Sequence, residues 1–266
     1  MKIVSMLLLI GLALHAFQRY RSPLNPGNVN AQYEYEMQNP VDDPPDAGEK
    51  AEYAFARLRY RGHRGYRRSS WGTDSNKAER QFIQGIRRLT RIHTRSVEQV
   101  VDVDSDEIYK WPWLYAVEVG YWELDERQAK RIREYLDRGG FLMVDDFHGS
   151  AEWESFATSL RRVFPDRPIL ELEDANQIFH VLYNLDKRFQ VPGRQYVYSG
   201  RTYERDGIEA RWRGVMDDNG RIQVAICHNM DLGDAWEWAD FPDYPEPYAS
   251  LAYRIGINYL VYSMTH

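Results

Sequence analysis

Between residues 51 and 266, apolar positions fall into short runs of strand type separated by stretches with helical spacing. Residues 54–60 (AFARLRY) predict a strand. Residues 76–90 predict a helix with Phe82, Ile86 and Leu89 on one face, and Asn76 with Glu79 has capping-box spacing. Residues 114–119 (LYAVEV) predict a second strand. A helix over 125–138 follows, with Ala129, Ile132 and Leu136 inward and Gly139 at the left-handed position past its end. The continuous run Phe141-Leu142-Met143-Val144 predicts a strand buried on both faces. Residues 152–163 predict a helix with Trp153, Phe156, Ala157, Leu160 and Val163 on one side. This alternation implies a parallel sheet with helices on both faces. The runs 209–216 and 221–227, joined through Asn219-Gly220, predict an antiparallel hairpin that extends the sheet. A helix over 247–264 closes the chain, with Pro247 in its first turn.

The first fifty residues have a different pattern. Lys2 precedes a nearly unbroken apolar run over residues 3–14, too short to span a bilayer but suited to the core of a signal peptide. Residues 17–50 contain Pro23, Pro26, Pro40, Pro44 and Pro45 and little apolar periodicity, as in a linker. The expected organisation is a signal peptide over 1–16, a Pro-rich linker over 17–50 and one α/β domain over 51–266. A Sec-type signal implies a periplasmic or secreted bacterial protein whose mature chain has no membrane span.

Composition narrows the classes. Of 266 residues, 43% are hydrophobic and 28% charged, which excludes wholesale disorder, collagen and polytopic membrane proteins. One Cys excludes an intrachain disulfide and a multi-Cys metal site. A net charge of −6 argues against nucleic acid as partner. Aromatics at 14% point to a binding surface.

Several strings occur together in order: Arg57-Leu58-Arg59-Tyr60 with Gly62, Gly139 to Asp146 (GGFLMVDD), Ile178-Phe179-His180, Gly220-Arg221, Asp231 to Trp236 (DLGDAW) and Gly256-Ile257-Asn258. Over residues 53–264 this set resembles a bacterial family of unknown function, domain-of-unknown-function family 4159. That family is similar to class I glutamine-amidotransferase-like and trehalose-utilisation-type domains. The resemblance implies a flavodoxin-like three-layer α/β/α sandwich and no settled activity. The chain departs from the family at Asn176-Gln177, where His-Pro is expected. Amidotransfer itself needs a Cys nucleophile on a tight turn beside a His. The single Cys, Cys227, ends a late strand with no glycine elbow and reads as a small buried hydrophobe.

Candidate chemistry gathers where strands end. Asp145, Asp146 and His148 follow the buried run, at the edge where open α/β sheets bind ligands. They are the catalytic candidates, as a base pair or as partners of a divalent ion. A metal site needs three or four converging ligands and only two can be named locally, so no metal is expected, and no cofactor. Asn229 and Asp231 share that cleft only if their strand runs parallel to the 141–144 strand. His180 is a third candidate. Residues 51–100 hold 12 Lys/Arg against 4 Asp/Glu, net +8, and the loop after the first strand offers Arg59, Arg61, Arg64 and Trp71 to an anion before a helix start. Arg67 and Arg68 add charge; His63 and His93 read as structural. Residues 232–248 alternate Trp236, Trp238, Phe241 and Tyr244 with acids, as in a flap over the core or a lid that stacks on sugars. The leading expectation is an exported domain that binds an anionic or saccharide small molecule at the sheet edge. The alternatives are a saccharide-related or metal-assisted hydrolase using Asp145, Asp146 and His148, and an envelope module that contacts another protein.

Overall fold

The computed structural model describes residues 44–62 and 70–266. The expected signal peptide, most of the expected linker, and His63, Arg64, Arg67 and Arg68 lie outside the described residues. The last linker residues do not extend freely. Ala47 is buried and bonds Pro44, and Asp46 pairs with Arg87 and Ser96, so residues 44–50 dock on the domain.

Among the described residues, seven strands form one sheet: β1 (Ala56–Arg59), β2 (Gln99–Asp102), β3 (Trp113–Val117), β4 (Phe141–Asp145), β5 (Leu170–Glu171), β6 (Arg211–Met216) and β7 (Ile222–His228). Their order is β2-β1-β3-β4-β7-β6-β5. β2, β1, β3, β4 and β7 are mutually parallel, and β6 and β5 add antiparallel strands at one edge. The fold is the expected α/β class, with the predicted hairpin in place as β6–β7. β2 had no predicted counterpart. Its four residues, Gln-Val-Val-Asp, are too few to stand out from the flanking polar chain.

Alternation along the buried strands feeds two cores. Trp113, Tyr115, Val117, Phe141 and Met143 point to one face, where α1 (Lys77–Leu89), α5 (Leu232–Glu237) and α6 (Glu246–Thr265) pack through Phe82, Ile86, Trp236, Ile255 and Tyr259. Leu114, Ala116, Leu142 and Val144 point to the other face, under α2 (Glu126–Asp137) and α3 (Gly149–Val163) through Ile132, Leu136, Phe156 and Leu160. A further short helix, α4 (Gln195–Ser199), lies on the connection from β5 to β6.

Local signals behave unevenly. Gly139 takes φ 99° past the end of α2, as expected, and Asp125 and Gln128 form a reciprocal capping box at its start that the sequence reading did not include. At α1 the predicted box is absent: Asn76 makes no cap bond and instead donates to Glu98, while Glu79 is drawn into an ion pair with Arg57. Leu89, expected inward, is half exposed because α1 ends there. α3 begins at Gly149, one turn before the predicted start, because its first turn is polar. Residues 232–237, expected in a loop or lid, are helical. No helix among the described residues is long and apolar enough to cross a membrane.

Candidate functional site at the carboxyl edge of the sheet

Because β7 runs parallel to β4, the residues after β7 emerge at the same edge as those after β4. β1, β3, β4 and β7 therefore deliver four loops to one place, as the topology of open α/β sheets requires. Each loop carries an acid. Asp74 lies on the turn that enters α1, Glu118 follows β3, Asp145 and Asp146 end β4, and Asp231 caps α5.

Asp74, Glu118, Asp146 and Asn229 all have positive φ, between 50° and 65°. Such conformations cost an L-residue free energy and concentrate where a site needs them. Strand alternation turns Asp145 toward the α5 face with Met143. There its Oδ2 accepts the Tyr115 hydroxyl at 2.9 Å and the backbone N–H groups of Leu232 and Gly233 at 2.8 and 3.0 Å. Asp145 is 0% exposed and ties α5 to β4. The next residue, Asp146, turns through its left-handed conformation and brings Oδ1 to 3.2 Å from His148 Nε2.

One carboxylate oxygen from each of Asp74, Asp146 and Asp231 lies within 4.8 Å of the others. A second group of the same tightness joins Asp74, Asp234 and Glu237. Asp231 Oδ1 accepts Asp234 N at 2.8 Å, which leaves Oδ2 for other partners. Asp74 Oδ2 is buried with no hydrogen-bond partner, as are Asp145 Oδ1 and His148 Nδ1. Gly233 is needed here: a Cβ at that position would lie 2.6 Å from Asp74 Oδ2 and 2.8 Å from the Tyr115 hydroxyl.

Burial pushes the carboxyls of Asp74, Glu118, Asp145, Asp146 and Asp231 upward. Asp145 and Asp146 rise to about 6; in Asp146 the His148 bond opposes the rise and the Asp145 and Asp234 charges add to it. Glu118 rises to about 7 through burial and the Asp146 charge, against hydrogen bonds from Ser70 and Thr73. Asp74 and Asp231 go well above the usual range, through burial and neighbouring acids. His148 is raised: burial opposes its charge, but Asp146 outweighs burial. The cluster thus needs positive charge or protons.

Asn229 is a clamp: Oδ1 accepts Gly149 N and Nδ2 donates to the Glu209 carbonyl. Arg59 is held by Asp102, with its guanidinium over the Trp71 ring, and Trp71 is buried. Arg61 is exposed, and its carbonyl accepts Glu123 N. His180 bonds Asn184 and the Asp174 carbonyl, and none of the strand-end carboxylates is among its partners. Trp236 is no lid residue. It is 0% exposed and packs on Phe82, Phe55 and Tyr115, because the helix it sits on lies over the sheet. Cys227 is buried in β7, and burial raises its thiol well above the usual value, which suits no nucleophile. His228 stacks on Phe147 and falls to about 4 through burial, so it is neutral. A groove of about 490 Å³ between α3 and β6, lined by Trp153, Phe164 and Val215, contains none of these acids.

Asp74, Glu118, Asp234 and Glu237 escaped the sequence reading. Asp74 and Glu118 each follow a parallel strand, so listing the first acid beyond every such strand would have found them. The family model described as Domain of unknown function (DUF4159) matches residues 54–264. No curated protein matches the chain.

Proposed function

The chain belongs to the DUF4159 family, and from the site its fold builds we propose that it is a ligand-binding domain whose Asp74, Asp146 and Asp231 hold a divalent cation at the carboxyl edge of the sheet. The observation that carries this reading is the convergence of three carboxylates, from three separate loops, within 4.8 Å. Such a set repels itself unless protons or a cation intervene. An all-oxygen set suits a hard ion such as Mg2+, Mn2+ or Ca2+. The expectation of no metal rested on two local ligands; the fold adds carboxylates that the sequence holds 72 and 85 residues away from Asp146.

A bound cation would also offer an anionic or hydroxyl-rich ligand an attachment point in a site whose own groups are acidic. Without it, an anion would meet a cluster of carboxylates here. The Arg59, Arg61, Arg64 anion site and the Trp236 sugar lid are not part of this proposal.

The second reading is a cation-assisted hydrolase in which Asp146 and His148 move a proton. It is favoured by their 3.2 Å approach at a buried position and by the free Nδ1 of His148. Export remains a proposal resting on Lys2 and the apolar run after it, and N-terminal sequencing of native protein tests it.

Calorimetric titration with Mn2+ tests the main reading. Binding should occur in the native protein and be lost in Asp231→Asn and Asp74→Asn variants that keep their fold. Absence of binding at millimolar Mn2+, or undiminished binding in both variants, rejects the site. The hydrolase reading predicts in addition that His148→Ala keeps Mn2+ binding and loses turnover of an ester or glycoside substrate.

A further inference from the structure

Arg57 points from β1 into the α1 side of the sheet, where its neighbours are Phe55 and Tyr115. It is 0% exposed and pairs with Glu79, which is equally buried. A charge pair in such a place gains little over apolar residues of similar size, because desolvation of both ions offsets their attraction. Arg57 does something that an apolar residue could not do. Its Nη1 donates to the carbonyls of Trp71 at 3.0 Å and Thr73 at 2.8 Å. Those carbonyls bracket the turn that ends in Asp74.

The same turn is held from the other side. Ser70 and Thr73 donate side-chain hydrogen bonds to Glu118, and the Asp74 carbonyl accepts Ala78 N as α1 begins. Asp74 itself sits at φ 61°, a left-handed conformation that Asp tolerates better than most residues but that still costs free energy. The guanidinium fork is rigid and donates in fixed directions, so it sets the positions of both carbonyls together. Glu79 fixes the fork by holding its Nε side.

We propose that the Arg57–Glu79 pair is the positioning device of the carboxylate site: it sets the 71–74 turn so that Asp74 meets Asp146 and Asp231. This rests on the cation reading above. Arg57 is a positioning residue, acting through the backbone of Trp71 and Thr73 and not by touching the ligand. Groups that orient a metal ligand from behind typically change metal affinity by about 10–100-fold when removed.

The experiment replaces the pair as a unit, Arg57→Met with Glu79→Leu, and measures melting temperature and Mn2+ affinity of the full chain. The expected result is a folded protein with a somewhat lower melting temperature, because the Trp71 and Thr73 carbonyls lose their donor, and Mn2+ affinity reduced at least about tenfold. A merely structural pair would leave the affinity of a folded variant untouched. Native-like Mn2+ affinity in the double variant, alongside loss of binding in Asp74→Asn, overturns the positioning role and leaves the cation site standing. Native protein that binds no Mn2+ overturns the cation reading and this inference together. If the double variant does not fold, Arg57→Lys decides: it keeps the charge, loses the fork, and must weaken Mn2+ binding, or the inference is wrong.

Discussion

The Tyr115 hydroxyl donates to Asp145 Oδ2 at 2.9 Å, and that same oxygen accepts the first two N–H groups of α5. One buried carboxylate oxygen thus joins β3, β4 and α5, and places Asp231, the residue just before α5, against the sheet edge. Removing one donor should be felt but survived. Tyr115→Phe is expected to cost about 1–2 kcal/mol, since two backbone donors remain on the oxygen. Urea unfolding measures it; a neutral result would mean the hydroxyl bond is idle.

Trp236 tests the choice between lid and core. Its ring fills the space between Phe82 and Tyr115, with Gly256 close beneath. Trp236→Ala should lose about 3–5 kcal/mol, as large aromatic truncations in packed cores do. A loss below about 1 kcal/mol in chemical denaturation would return Trp236 to a surface role.

Asn258 is buried in α6 and serves the chain segment crossing it. Its Oδ1 accepts Tyr183 N and its Nδ2 donates to the Tyr183 carbonyl, both at 2.8 Å. Asn258→Leu strands both backbone groups and should cost about 2–4 kcal/mol, with the 177–185 segment more open to proteolysis. Equal protease resistance in variant and native chains would contradict the clamp.

The acidic edge predicts an unusual pH dependence. Asp145 and Asp146, raised to about 6, and Glu118, raised to about 7, hold protons in the folded protein at pH values where the unfolded chain has released them. Their contribution to stability is complete below their unfolded values of 3.8 and 4.5 and is lost as pH rises through about 6–7. His228, lowered to about 4, works in the opposite sense, but it is one group against several. With chelator present, the melting temperature should be higher near about pH 5.5 than near about pH 8, and Mn2+ should raise it at the upper pH. A melting temperature that climbs across that interval in chelator would show that the carboxyls are not strained by their burial.

Much of the fold was legible because its signals are local. The long parallel strands are runs of mostly apolar residues, Gly139 marks the end of α2, and Asn219-Gly220 announces the β6–β7 hairpin. Glu79 misled for the same reason. Its spacing from Asn76 satisfies a local rule, yet a buried guanidinium 22 residues away competes for it and wins. For Trp236 the sequence left a packed flap and a lid both open, because a short helix rich in acids has the composition of a loop, and only docking on Phe82 and Tyr115 decides that its ring is core.

The sequence by itself determined the α/β class, the strand that ends in Asp145-Asp146, and the family to which the chain belongs. Those follow from residue periodicity and from ordered strings, which chain order preserves. The tertiary structure alone decided that β7 runs parallel to β4, and with it that Asp231 joins Asp146. It alone decided that Asp74, brought in from a separate loop and held by Arg57, completes the set. Strand direction depends on how a long connection wraps across the sheet. The meeting of three carboxylates depends on three loops reaching one edge. Neither leaves a mark in the spacing of residues along the chain.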